Sequence, residues 1–355
     1  MKKILYYICL SMMVMAIGSC GNKSKNKSEA DSDEDVKAKK GDVRISLEVT
    51  DLKLLNEQDQ KAVIDNTEQV LRNRLEKEGI DCEITHSEEG PFIHIEMPKQ
   101  KNMERVFRLL ANNGNIEFWE TYRGDELYYI LQDIMSKYTE DLAIRDSLAR
   151  MMGAADSLSL EEYPTLPEEP RLMLTNLSYA VVGYASEKDT AAINRMLQHP
   201  GVKSYLHSLS DGEARLLWGA KPIVQHYTNM EDPVFELFAL KVTAPSGRAP
   251  IEGDVIVSAK AERDQDKRPI VSMQMNSYGS RVWADLTKKN LKRSIAIVLD
   301  DVVYTAPTIQ SEITGGLSQI SGNFTVEETK DLANILSSGK LPMPVRIVSY
   351  QIEGE

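Results

Sequence analysis

Across residues 43–121 the apolar positions switch repeatedly between a period of two and a period near 3.6, and few folds accept the resulting order. Residues 43–50 (VRISLEVT) alternate, with Val43, Ile45, Leu47 and Val49 on one side, as a half-buried strand does. Asn56 is placed to cap a helix over 57–78 whose apolar face is Val63, Ile64, Val70, Leu71 and Leu75, and Gly79 ends it. Strands at 81–86 and 92–97 follow, joined by the polar turn 87–90. A second helix over 102–112 turns Val106, Leu109 and Leu110 inward and closes at Asn113-Gly114, and 116–121 reads as the next strand. The order β-α-β-β-α-β predicts an α+β, ferredoxin-like unit, two helices on one face of an antiparallel sheet.

Beyond residue 122 the pattern loosens. Residues 127–152 read as a helix with Tyr128, Leu131, Met135, Tyr138 and Leu142 near one stripe, and Pro164, Pro167 and Pro170 then break regularity. A short helix over 190–197, with Asp189 as its cap, is stopped at His199-Pro200, and 235–242 reads as an apolar strand. A compact series follows: strand 270–275, helix 277–289 with Val282, Trp283 and Leu286 inward, strand 295–299, an Asp300-Asp301 turn and strand 302–305. Gly315-Gly316 falls in a loop. A helix over 326–336, stopped by Gly339, and a strand over 345–351 are expected to return to the first unit, making the middle an insertion.

The N-terminus carries a different signal. Lys2 and Lys3 precede an apolar run from Ile4 to Ile17, about fourteen residues, which suits a signal peptide and is short for a membrane span. Gly18, Ser19 and Cys20 complete the pattern of a bacterial lipobox, in which cleavage precedes a cysteine that carries lipid. An ordinary signal peptide or a short core segment is the competing reading. Residues 21–40 (GNKSKNKSEADSDEDVKAKK) hold Val36 as their one large aliphatic side chain, so they are expected as a solvated linker. With Cys9 in the cleaved segment and Cys20 acylated, Cys82 is left without a disulfide partner, beside Ile80 and Ile84 as a buried structural thiol.

Charge and motif searches narrow the function. The formal net charge of −12 argues against a nucleic-acid partner, because phosphate binding needs a basic surface. His86, His94, His199, His207 and His226 lack metal-site spacing, although His86 and His94 could meet across the 81–97 hairpin. No catalytic motif of the hydrolase, zincin, P-loop or dinucleotide type is present, so no catalytic, cofactor-binding or metal residue is assigned. Asp300-Asp301 reads as a hairpin turn rather than a carboxylate pair, and Trp119, Trp218 and Trp283 as core residues.

Several stretches together resemble the first periplasmic domain of SecD and SecDF protein translocase subunits. They are VLRNRLEKEG, IHIEMPK and NIEFWETY, then GRAPIEGDVIVSAKAERDQ, VSMQMNSYGSRVWADLTKKN, IAIVLDDVVYTAPTIQSEITGG and ISGNFTVEETKDLANILSSGKLPMPVRI. FWETY and DTAAINRML are closest to the fused Bacteroidetes proteins. The resemblance covers residues 43 to 353 and implies a ferredoxin-like base carrying an inserted head that holds emerging polypeptide. SecD has a membrane helix and a Gly-Leu-Asp-Leu-x-Gly-Gly segment before this domain, where this chain has Cys20, the linker and Gly41-Asp42. SecD also continues into membrane helices where this chain stops at Glu355, which implies that the chain by itself is no proton-driven motor.

The expected division is a signal peptide at 1–19, lipidated Cys20 and linker at 20–42, base at 43–122, head at 123–322 and base again at 323–355. The expected function is a non-enzymatic, lipid-anchored, extracytoplasmic accessory or polypeptide-binding module of protein export without a cofactor. Its expected partners are the membrane through the lipid, Sec translocon components and emerging unfolded polypeptides. The alternative is an envelope lipoprotein with this fold turned to another ligand or lipoprotein partner.

Overall fold

A computed structural model describes residues 42–87, 90–155, 171–209, 212–223 and 232–352, with the helical backbone alone for 141–155. The signal segment, Cys20 and nearly all of the linker lie outside the described residues, as do Pro164, Pro167 and Pro170.

In chain order, β1 (Val43–Val49), α1 (Glu57–Lys77), β2 (Glu83–His86), β3 (Phe92–Met97) and α2 (Met103–Ala111) come first. β4 (Ile116–Glu120) leads into α3 (Gly124–Ala155), β5 (Met173–Leu174), β6 (Val181–Ser186), α4 (Glu187–Gln198) and α5 (Pro200–His207). β7 (Glu213–Ile223), β8 (Val234–Val242), β9 (Ile251–Glu252), β10 (Ile256–Arg263) and β11 (Pro269–Met275) follow. The last described elements are α6 (Ser277–Lys289), β12 (Ile295–Leu299), β13 (Val302–Thr305), β14 (Leu317–Ile320), α7 (Val326–Ser338) and β15 (Val345–Ile352).

The alternation in β1 and β3 does what its period requires. Val43, Ile45, Leu47 and Val49 of β1, with Ile93, Ile95 and Met97 of β3, pack under Ile64, Leu71 and Leu75 of α1 and Val106 and Leu110 of α2. The opposite face stays polar, carrying the Arg44–Glu96 pair and a hydrogen bond between Ser46 and His94. Asn56 caps α1 by accepting from the Asp59 N–H, and Cys82 sits half-buried against the same core. The strand order is β15-β1-β3-β2, antiparallel throughout, with two helices on one face, an α+β arrangement.

One strand departs from the expected place. Residues 116–120 do not close this sheet; β4 pairs with β12 and β9 in a separate eight-stranded sheet, and β15 takes the fourth position beside β1. The reason lies in the side chains. Ile116 and Phe118 are buried to one side of β4 and Trp119 to the other, so both faces need cover, whereas the first sheet leaves one face to water. The helix expected to return with β15 also divides its loyalty: Leu332, Ala333, Ile335 and Leu336 of α7 join the core of the three-stranded sheet β10-β11-β14. The His199-Pro200 stop holds for α4, yet Pro200 then opens α5, since proline at the first helical position loses no hydrogen bond. Asp189, expected as the cap of α4, is instead buried within its first turn, and Ser186 stands at the N-cap.

The eight-stranded sheet runs β5-β6-β8-β7-β13-β12-β4-β9. It curls back on itself, because Thr121 bridges Leu240 and the Tyr122 N–H donates to the Ala239 carbonyl at 2.9 Å. Five strands, β8, β7, β13, β12 and β4, thus close around Trp119, Phe238, Leu240, Ala296, Val298 and Val303. The β6-β8-β7 half is covered on one face by α3, α4 and α5 through Leu131, Ile134, Ile193, Met196 and Leu206.

Arg74 joins the first sheet's helices to the rest. It is fully buried, and its guanidinium donates to the carbonyls of Leu109 and Asn112 at the end of α2 and of Gly339 after α7. Gly114, at φ 75°, lets the chain pass: a Cβ there would stand 2.8 Å from Arg74 Nη2. Asp300 in the β12–β13 turn accepts from the N–H groups of Asn113 and Asn115 at 2.7 and 3.0 Å. Burial pulls the Arg74 guanidinium down to about 10, still charged at neutral pH, while burial pushes the Asp300 carboxyl up against those amide donors. Arg74→Met is expected to strand three carbonyls and the Asp300 charge together, lowering unfolding free energy by about 3 kcal/mol or more in urea titrations.

A second clamp fixes the start of α3. Glu126 accepts from both Nη atoms of Arg293 at 2.8 and 2.7 Å and from the Arg123 N–H at 2.9 Å. Burial by itself would raise this carboxyl, but the guanidinium and the amide outweigh it and hold it near 2 against an ordinary 4.5. A depressed carboxylate stabilises the fold above its unfolded value and loses that contribution as pH falls from 4.5 through about 2. Urea midpoints measured across that window should fall less steeply in Glu126→Gln, which should start from a lower value at neutral pH.

Candidate functional site

The face of the β6-β8-β7 half-sheet opposite α3, α4 and α5 forms the floor of a groove. Its volume is about 1080 Å³, at the upper end of the ~300–1,000 Å³ usual for ligand clefts. Val181 and Tyr184 of β6, Glu236 and Phe238 of β8, and Ala220 and Ile223 of β7 line the floor. Val303, Tyr304 and Thr305 of β13 line the facing wall.

The groove exists because β7 and β13 separate. Their registered parallel pairing is the single match Val303–Gly219. Beyond Trp218, β7 slips out of register with β8 and regains it at Pro222–Phe235. Proline has no N–H for a neighbouring strand, so the ladder cannot run on evenly past it. The segment 219–221 therefore bulges, and registered pairing with β13 is confined to Gly219.

Aromatic and charged groups are distributed unequally. Tyr179 stands at the rim, 66% exposed, and Met173 is also open to solvent. Lys221 lies at one end, where its ammonium donates to the Asn323 carbonyl at 2.7 Å, pairs with Glu328 and sits over the Phe324 ring. Thus β7 is tied to the capping box of α7, formed by Thr325 and Glu328. Glu236 lies on the floor, directly opposite Tyr184 in the β6–β8 register and facing the β7 irregularity. Burial pushes its carboxyl above the usual carboxylate range, and burial, with the Glu236 charge, likewise raises the Tyr184 hydroxyl.

Those residues singled out from sequence that are described are not drawn into this groove. Cys20 is outside the described residues. His86 and His94 do not meet across their hairpin. His86 pairs in register with Ile93 and His94 with Thr85, so they project from opposite faces. His86 approaches Glu68 of α1 at 3.5 Å, and His94 bridges the hydroxyls of Ser46 and Ser87. Among the described residues, no group of three or more His, Cys, Asp or Glu side chains is arranged to hold a metal ion. Asp300-Asp301 is a turn with both residues at positive φ, and Asp301 pairs with Arg215 of β7. Trp119 and Trp283 are buried, while Trp218 is half-buried and donates to Asn194 Oδ1 at 2.9 Å. Sequence reasoning passed over β6 and β7, which supply most of the floor. The short run of apolar and small residues VVGYAS was the available signal for β6, although its burial does not alternate.

Residues 240–343 match the family model described as the SecDF P1 head subdomain. The chain is 32% identical over 295 residues to the protein translocase subunit SecD of Rhodothermus marinus, covering 81% of this chain and 46% of that protein. It is 43% identical over 104 residues to SecD of Leptotrichia buccalis, covering 29% of this chain and 26% of that one. The chain thus spans less than half the length of these relatives. A crystal structure of SecDF in a super-membrane-facing form is similar at a TM-score of 0.48 and 21% identity, over 90% of this chain and 32% of that one. The chain carries a SecD-type periplasmic domain, with the SecDF P1 head subdomain at residues 240–343.

Proposed function

We propose that this chain is a lipid-anchored, extracytoplasmic module that holds polypeptide segments during protein export. The observation that carries the reading is the groove itself: a sheet face with helices behind it and nothing described in front. Its accessible lining includes the apolar and aromatic side chains of Val181, Tyr184, Ile223 and Tyr304. Such a surface receives an extended chain through side-chain packing, with strand backbones alongside to fix its direction. Similarity to protein translocase subunits supports placing that activity in protein transport, with the Sec translocon and emerging chains as partners. The Gly18-Ser19-Cys20 pattern behind a short apolar run supports attachment through lipid on Cys20. Among the described residues no helix is long and apolar enough to cross a membrane. The role assigned is to hold a segment, not to supply the energy that moves it.

A photo-cross-linking residue at Tyr179, on the groove rim, should capture secretory chains in transit in intact cells. The same probe at Leu54, which is 81% exposed and away from the groove, should capture few. Equal capture at the two positions would sink the groove assignment. Separately, Cys20→Ala should abolish incorporation of labelled fatty acid and release the protein from the membrane fraction; retained label would remove the anchor from the proposal.

A further inference from the structure

We infer that Glu236 makes the groove selective for segments that present a lysine or arginine side chain, a refinement that rests on the polypeptide-binding reading above.

Among the described residues, two charged side chains line the groove, Lys221 and Glu236. Their circumstances differ. Lys221 is engaged by Glu328 and the Asn323 carbonyl, so its charge is already answered. Glu236 has no hydrogen-bond or ion-pair partner among the described residues, and its neighbour across the β6–β8 register is Tyr184. The β7 irregularity between Trp218 and Pro222 faces it on the other side. A half-buried carboxylate with no donor is costly to the fold by itself. That cost is recovered when a bound chain brings the missing cation.

The walls around Glu236 suit the rest of such a side chain. Tyr184 and Tyr304 offer apolar and π surfaces along which a lysine or arginine stem can lie with its head at the carboxylate. The formal charge of −12 adds a long-range bias toward basic segments. A lysine Nζ–H or an arginine N–H would donate to a Glu236 carboxylate oxygen, and flanking apolar residues would pack on the half-buried Val181 and Ile223. A protonated Glu236 donating to a client carbonyl is the competing arrangement, and it gives no preference for basic residues.

The test uses the full chain in detergent micelles and three fluorescent extended peptides that differ only in a central lysine, norleucine or glutamate. Fluorescence anisotropy should show the lysine peptide bound roughly tenfold more tightly than the norleucine peptide, as a close, partly desolvated charge pair implies. Glu236→Gln should abolish that preference while its thermal midpoint shows it folded, and Glu236→Lys should invert the order in favour of the glutamate peptide. Equal binding of lysine and norleucine peptides by the wild type, or a lysine preference that survives Glu236→Gln, overturns the role of Glu236 and leaves the groove as a peptide site. Failure of all three peptides to bind, together with absent cross-linking at Tyr179, overturns the groove reading as well.

Discussion

The Arg74 guanidinium stands where three parts of the chain converge: the ends of α2 and α7 and the passage through 112–115 into the curled sheet. Helix C-termini leave carbonyls unpaired and carry partial negative charge. One buried cation answers two such ends at once. Its presence there makes the neighbouring geometry obligatory, since Gly114 cannot carry a side chain beside it and Asp300 must hold the N–H groups of Asn113 and Asn115. Around this point Asn334 donates to the Arg74 carbonyl and to Glu78, and Arg105 joins Glu78 to Asp331. The contact between the two sheets is therefore polar and directional rather than merely greasy. Hydrophobic packing would tolerate sliding at such a joint; a guanidinium with fixed acceptors does not.

The groove follows from a different constraint. Residues on β6, β8 and β7 alternate between the α3–α5 layer and the open side, and on that open side the sheet curls toward β13 without pairing along its length. Closing the five-stranded ring at Thr121–Leu240 fixes β4 and β8 together, which leaves the looser β7–β13 seam to open. The groove is thus the space that the curled sheet leaves where its ladder is weakest. Lys221 holds one end of that seam against α7, so the opening has a bounded length.

Local periodicity in the sequence reached the first sheet and the 270–305 series well. β1, α1, β3 and α6 each keep one apolar face, Asn56 and Gly79 mark the ends of α1, and Gly339 marks the end of α7. It went astray at 116–121, because a strand is recognised by its own residues while its sheet is chosen by partners far away in sequence: Val298 and Ile297 for β4, Val43 and Leu47 for β15. The groove was less legible still. Strand β7 (EARLLWGAKPI) contains a glycine, a proline and a lysine within its last five residues, so no simple alternation survives. Glu236 reads as a polar residue in a largely apolar strand, and nothing local distinguishes a carboxylate that lacks a partner among the described residues from one that has several.

The closing strand of the first sheet has a consequence for biosynthesis. Val43 pairs with Ile352 and Val49 with Val345, so β1 must wait for residues 345–352 to be made before its edge is covered. Contacts this distant in sequence form late and slow the search for the native state. Until then β1 presents an open edge able to pair with other extended chains. A protein proposed to hold unfolded segments would, during its own synthesis, be in need of the same protection.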